Sequence, residues 1–290
     1  MKGKIRRLIV SSCFQSIFII FLFVLGLSFT LYPLGAQVYH FYLSHQKIKT
    51  YENELKEMTP ELISKRIALA QAYNDSLVGY QENSLQDPFT DLQKAGRAEY
   101  ARMLKVKEMI GHISIPSINI DLPIYAGTSD SVLQKGVGHL EGSSLPVGGE
   151  HTRAVLTAHR GLPKARLFTD LDKLKKGDVF YVTNMKETLA YQVSHLQVIE
   201  PTQISALTIK ENKDFVTLLT CTPYMVNSHR LLVTGERIPY SKTKATSSMS
   251  KAKENLITKT IILTFFIFSF LLLAIRYLKR KLGRNPSVRT

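Results

Sequence analysis

Two long apolar runs bracket the chain. Leu8–Leu34 spans 27 residues without a charged side chain, and Leu256–Ile275 spans 20 residues whose only charge is Lys259. An α-helix rises 1.5 Å per residue, so about 20 apolar residues cross the hydrocarbon core of a bilayer. Each run therefore predicts a transmembrane helix, with Lys259 near enough to the end to reach the interface. The first run also shows the basic–apolar–small order of a secretory signal, with Ala36 as the small residue. Its length favours a retained anchor over a cleaved peptide.

Between the runs the pattern changes twice. Thr59, Pro60 and Glu61 form a helix start, with a capping hydroxyl, a proline at the first helical position and an acid in the first turn. Leu62, Ile63, Ile67, Ala70 and Tyr73 follow at helical spacing. The pattern breaks at Asn83–Asp91 around Pro88, and a second helical stretch is predicted over Leu92–Glu108. From Gly111 onward short β-rich runs alternate with turns: Ile113–Ile115, Ile118–Ile124, Arg153–Ala158, Val179–Thr183, Leu189–Val193, Phe215–Thr220 and Leu231–Glu236. Only Ser131–Gln134 and Ala165–Leu171 read as helical turns there. So many short strands in so little chain predict a mostly β fold, a sandwich or a closed barrel. Ser241–Glu254, rich in Ser, Thr and Lys, reads as a tether to the second apolar run.

Charge sharpens this picture. Lys and Arg number 38 against 23 acids, a formal charge of +15 that alone would fit a nucleic-acid binder. Lys2, Lys4, Arg6 and Arg7, together with Arg276, Lys279, Arg280, Lys281, Arg284 and Arg289, carry ten of those fifteen charges. All ten flank the apolar runs, and about five remain for residues 8–275. A basic groove for nucleic acid is thereby excluded. Basic outer flanks predict both termini in the cytoplasm and residues 35–255 outside the cell, a two-pass membrane protein. The expected division is 1–7 cytoplasmic tail, 8–34 membrane helix, 35–109 extracellular helical segment, 110–240 β-rich body, 241–255 linker, 256–275 membrane helix and 276–290 cytoplasmic tail.

The two cysteines, Cys13 in the first apolar run and Cys221 in the body, do not pair in this arrangement. An extracellular thiol without a disulfide partner draws attention to its surroundings. Three segments carry candidate chemistry. In Thr157-Ala158-His159-Arg160-Gly161-Leu162-Pro163 a strand ends on a histidine. In Thr217-Leu218-Leu219-Thr220-Cys221-Thr222-Pro223 a strand ends on the cysteine, and Asn227-Ser228-His229-Arg230 leads into the next strand. If the last two strands form a hairpin, Cys221 and Arg230 are neighbours across the ladder, and His159 reaches the same rim. A thiolate nucleophile beside an imidazolium that protonates the leaving amine, with an arginine for the oxyanion, constitutes acyl transfer through a thioester. Taken singly, each residue also has an inert reading: a packed cysteine, a surface histidine, an arginine in an ion pair.

These segments resemble the signatures of sortases, Gram-positive cysteine transpeptidases. Gly136-Val-Gly-His139-Leu-Glu-Gly142-Ser-Ser-Leu-Pro146-Val-Gly-Gly149 and Leu167-Phe-Thr-Asp-Leu171 extend the resemblance over about Ile110–Ile238. It implies a closed β-barrel of about eight strands with short helices, with His159, Cys221 and Arg230 as catalytic residues. The C-terminal apolar run and Asp87-Pro88-Phe89 resemble class C, the pilus-assembling branch, in which that tripeptide is a lid. By this resemblance Asp87 pairs with Arg230 and Phe89 covers Cys221; the plain reading is a turn, because Asp-Pro favours turns.

The implied reaction cleaves an LPxTG-like sorting signal between Thr and Gly and joins pilin subunits through a lysine side chain. The implied partners are pilins and the cell membrane. Met225 departs from the pattern, since a glycine is expected in the Cys–Arg loop. No carboxylate cluster suggests calcium, and no metal or cofactor is expected. The alternatives are a sortase that anchors proteins to peptidoglycan and a membrane-tethered binding module without catalysis. A papain-like hydrolase has its cysteine before its histidine, the reverse of His159 and Cys221.

Overall fold

The computed structural model describes residues 2–77 and 104–243, with scattered helical positions from 245 to 276. The break at Asn83–Asp91, with Asp87-Pro88-Phe89, lies outside the described residues.

The first apolar run continues well past Leu34 as one helix, α1 (Lys2–Glu57), which accommodates Pro33. Its part Phe21–Glu57 is long and apolar enough to cross a membrane. Phe21, Phe29, Tyr32 and Val38 expose their side chains, whereas Ser44, Ile48 and Tyr51 are buried. The same helix is thus lipid-like at one end and packed on the protein at the other. Helix α2 (Pro60–Ser76) starts at the expected cap, where the Leu62 amide donates to Thr59 Oγ1 at 3.3 Å. Ile67, Ala70 and Asn74 form its buried stripe at helical spacing. Asn74 Nδ2 donates to the Leu145 carbonyl at 3.1 Å, and its Oδ1 accepts from the Leu145 amide at 2.7 Å. One buried amide thereby fastens the helical segment to the body.

Of the helix predicted over Leu92–Glu108, residues 92–103 lie outside the described residues and the remainder is not helical. Val106 and Met109 exchange backbone hydrogen bonds of 2.8 and 3.1 Å across a turn in which Lys107 has φ 54°. A left-handed residue stops a helix and suits a tight reversal into a strand.

Eight strands follow: β1 (Met109–Ile115), β2 (Ile120–Ala126), β3 (Val137–His139), β4 (Thr152–Thr157), β5 (Val179–Thr183), β6 (Thr188–Ile199), β7 (Asp214–Thr222) and β8 (His229–Ile238), with a short helix α3 (Asp130–Leu133) before β3. They close in the order β1-β2-β3-β4-β7-β8-β6-β5, with β5 pairing back to β1. The pairs β2–β3 and β4–β7 are parallel and the others antiparallel. Strand β3 is absent from the sequence pattern because glycine weakens strand propensity. Here Gly138 is needed for close approach, since a Cβ there would lie 2.5 Å from the Gly127 carbonyl oxygen. The helical turn expected over Ala165–Leu171 is instead a run of turns with Leu167 at φ 37°, and only Leu171–Lys173 forms a 3-10 turn. β6 runs beyond the predicted Val193 because a bulge at Val193/His195 lets it keep pairing with β8 as far as Ile199.

Alternation sorts the side chains. Ala154, Leu156 and Ala158 of β4 and the segment after it join Val216, Leu218, Leu231 and Val233 in the barrel core, with Phe168, Phe180 and Tyr191. On the outer face Val155, Leu219 and Leu232 form a second cluster with Leu140, Ile199 and Leu207.

His139 of β3 has no exposed surface, and its Nε2 lies 2.8 Å from the Ser144 carbonyl oxygen, the geometry of a donor. Desolvation pushes its pKa down to about 4, against the partial opposition of that hydrogen bond. An unfolded histidine titrates near 6.5, so the unfolded chain binds the extra proton first. Stability is therefore expected to fall as pH drops from about 6.5 to about 4, by about 3 kcal/mol through this group. Urea unfolding of the wild type and His139→Asn across that range checks this: the wild type is expected to lose more stability than the variant, and parallel curves would contradict the role of His139.

Candidate active site

The strand ends decide the site. β7 and β8 pair so that Thr217 faces Thr234, Leu219 faces Leu232 and Cys221 faces Arg230. Directly opposed residues share a sheet face, with Cβ atoms ~5 Å apart. The Thr217 and Thr234 hydroxyl oxygens are 3.1 Å apart, in agreement with that register. Cys221 and Arg230 thus stand side by side at the end of the outer face, and both are buried.

β4 reaches the same rim from the other flank. It runs parallel to β7 with Thr157 beside Leu219. The alignment continues past the strand end: the Ala158 amide donates to the Leu219 carbonyl at 3.3 Å, and Thr220 Oγ1 donates to the Ala158 carbonyl at 2.8 Å. His159 then comes level with Cys221, with its carbonyl held by the Phe168 amide at 3.2 Å. The structure therefore brings together His159, Cys221 and Arg230.

Arg230 Nη1 donates to the carbonyls of Asn227 and His229, each at 3.1 Å, so the loop from Pro223 to His229 holds the guanidinium. In that loop Met225 has φ 67° and Asn227 φ 60°. The left-handed conformation at Met225 is the physical reason a glycine is expected there. Met225 and Val226 are 70% and 69% exposed, so the loop presents an apolar tip beside the site.

Behind the rim lies an apolar floor. Val155, Leu219 and Leu232 project from the outer face, and Ile204, Ala206 and Leu207 of the β6–β7 connection pack against them. At the far end Arg153 Nη1 donates to Thr217 Oγ1 at 2.9 Å, and its guanidinium lies 4.8 Å from the centroid of the Phe215 ring. Burial lowers Arg153 to about 10, which leaves it protonated at neutral pH. Its Nε lacks a hydrogen-bond partner among the described residues. Neither the floor nor Arg153 was legible in the sequence, because both depend on which face of β4 and β7 points outward. Among the described residues no group of three or more His, Cys, Asp or Glu side chains could hold a metal.

A buried thiol with a guanidinium across one ladder and a histidine just beyond the end of the other can form and resolve a thioester. Residues 113–238 match the sequence model described as the sortase domain. Among solved structures, the chain is similar to sortase C-1 of Streptococcus pneumoniae, at 56% identity and TM-score 0.64 over 68% of this chain and 100% of that one. It is also similar to sortase C1 of pilus island 1 of group B Streptococcus, at 54% identity and TM-score 0.64 over 69% of this chain and 94% of that one. Sortase A of Bacillus anthracis is 29% identical over 154 residues, which cover 52% of this chain and 71% of that protein. With the barrel, the matched segment and these similarities in agreement, the chain belongs to the sortase family of cysteine transpeptidases.

Proposed function

We propose that this protein is a class C sortase that polymerises pilin subunits at the outer surface of the cell membrane. The observation that carries the reading is the convergence of His159, Cys221 and Arg230 at one end of an apolar outer face. In the proposed reaction the Cys221 thiolate attacks the threonine carbonyl of an LPxTG-like sorting signal. His159 gives its proton to the glycine amine as the Thr–Gly bond breaks, and Arg230 stabilises the tetrahedral oxyanion. A lysine side chain of another pilin then attacks the thioester, returns its proton through His159 and leaves as an isopeptide with Cys221 regenerated.

The pilin class of substrate is supported by the similarity to a sortase whose description places it in a pilus island. The membrane location is supported by the exposed apolar part of α1. The second crossing is a further part of the reading. Ile261, Ile262, Phe265, Phe268, Phe270, Leu272 and Leu273 occupy helical positions with exposed side chains, which fits a lipid-facing helix leading from the linker to a cytoplasmic tail. The catalytic domain would then be extracellular and both termini cytoplasmic.

Incubation with an LPxTG peptide is expected to add the acyl fragment to Cys221, read by mass spectrometry, and Cys221→Ala is expected to abolish the adduct. A persistent adduct in that variant overturns the assignment. Supplied with competing amines, the enzyme is expected to favour a pilin lysine; preference for a peptidoglycan amine would reject the polymerising class.

Asp87, Pro88 and Phe89 are proposed as a lid over this site, Asp87 paired to Arg230 and Phe89 covering the thiol. Asp87→Ala or Phe89→Ala is then expected to raise the rate of Cys221 alkylation several-fold. Labelling at the wild-type rate would make the tripeptide a turn and nothing more.

A further inference from the structure

Arg160 follows His159 directly, and its side chain is only 7% exposed. Its guanidinium uses all three nitrogens on three different partners. Nε donates to the Thr169 carbonyl at 3.2 Å, Nη1 to Thr222 Oγ1 at 3.0 Å and Nη2 to Asp172 Oδ2 at 2.6 Å. The Tyr224 ring centroid lies 5.9 Å from the guanidinium carbon. Thr222 is the residue after Cys221. One planar cation therefore joins the neighbour of the histidine to the neighbour of the cysteine, with its third leg on the turn that carries Asp172.

Those links lie where the sheet has stopped providing any. β4 ends at Thr157, two residues before His159, and the last bonds between the two strands involve Ala158. Beyond that point the separation of imidazole and thiol depends on what ties the two chain ends together. The 161–172 loop contributes, since Gly161 donates to Thr169 Oγ1 at 3.3 Å and Phe168 to the His159 carbonyl at 3.2 Å. The Arg160–Thr222 bond is a direct cross-link to the nucleophile's strand. A guanidinium suits this position because its rigid fork meets three acceptors at fixed angles, which an ammonium on a flexible stem does not.

We infer that Arg160 is a positioning residue for the His159–Cys221 pair: by bonding Thr222, Thr169 and Asp172 at once it sets the distance across which the imidazole and the thiol cooperate. It acts through its neighbours and does not touch the substrate. The inference rests on the reading of Cys221 as nucleophile and His159 as its proton donor.

The test uses the full chain in detergent, with acylation by an LPxTG peptide and the pH dependence of Cys221 alkylation as readouts. A displacement of about 1 Å at a reacting pair costs on the order of 100-fold. Arg160→Gln is accordingly expected to lower the acylation rate constant by about 100-fold while KM for the peptide changes by less than about threefold. With the imidazole withdrawn, the alkylation midpoint is expected to move toward that of an ordinary thiol, about 8.5. Thr222→Val removes only the cross-strand bond and is expected to shift both readouts the same way, by about tenfold in rate. Arg160→Lys is expected not to restore them.

Wild-type rates and an unmoved alkylation midpoint in Arg160→Gln and Thr222→Val, whatever their melting temperatures, overturn the inference. Should Arg160→Gln fail to fold, Thr222→Val decides by the same criterion. A wild type that forms no acyl adduct defeats the proposed function instead, and the alkylation midpoints still judge Arg160.

Discussion

The architecture depends on the register of β7. That strand is held on one side by a parallel ladder to β4 and on the other by an antiparallel ladder to β8, and both registers must be met together. Side chains alternate between faces, so a slip of one residue would turn Cys221 into the barrel core and bring Thr220 or Thr222 to the outer rim. Closure makes such a slip costly, because every strand has two neighbours and the interior is filled. At Gly235 of β8 a Cβ would come within 2.4 Å of the Phe180 ring and 2.9 Å of Tyr191 Cβ. Phe180 and Tyr191 stack against each other with ring centroids 5.7 Å apart. Packing at this density admits one alignment of β8, and through β8 it fixes where Arg230 meets Cys221.

Some polar groups at the margins of this core are held by several partners. At the end of the barrel opposite Cys221, Asp214 accepts from the Tyr191 hydroxyl at 3.0 Å and from the Gly149 amide at 3.0 Å. Burial raises the Asp214 carboxyl above the usual range, against the pull of those donors and of Arg237. Asn74 serves the helical segment in the same way by closing both backbone groups of Leu145. Losing such a partner exposes a buried group to the full desolvation cost, about 1–3 kcal/mol. The start of β7 and the seat of α2 are thus secured by directional bonds, and the middle of the barrel by apolar packing.

The rim where the chemistry is proposed is built differently. There the β4–β7 ladder has ended, and on that side alignment passes to single side chains: Thr220 to the Ala158 carbonyl and Arg160 to Thr222, while Arg230 is held by the carbonyls of Asn227 and His229. The loop beyond Cys221 carries two left-handed residues and an exposed apolar tip. A rigid barrel below and individually braced side chains above hold the proposed reacting groups in place.

Much of this was legible in the amino-acid order. The long apolar run with its basic flank, the Thr59-Pro60-Glu61 start of α2 and the span of β5 follow from local rules of charge, capping and alternation that need no partner. The hairpin that sets Cys221 against Arg230 was legible too, because only eight residues separate the two and a short connection leaves few pairings. Three features had to wait for the fold. β3 has a glycine, Gly138, where a strand normally has a branched side chain, and only the approach of the Gly127 carbonyl explains it. The apolar floor depends on which face of β4 and β7 points outward, which is decided when the barrel closes. Arg160 reads in sequence as one more arginine after a histidine, yet its partners Thr169, Asp172 and Thr222 lie up to 62 positions away. Local propensity and spacing determine elements and neighbours in the chain; contacts between distant segments are chosen only by the packing that closes the barrel.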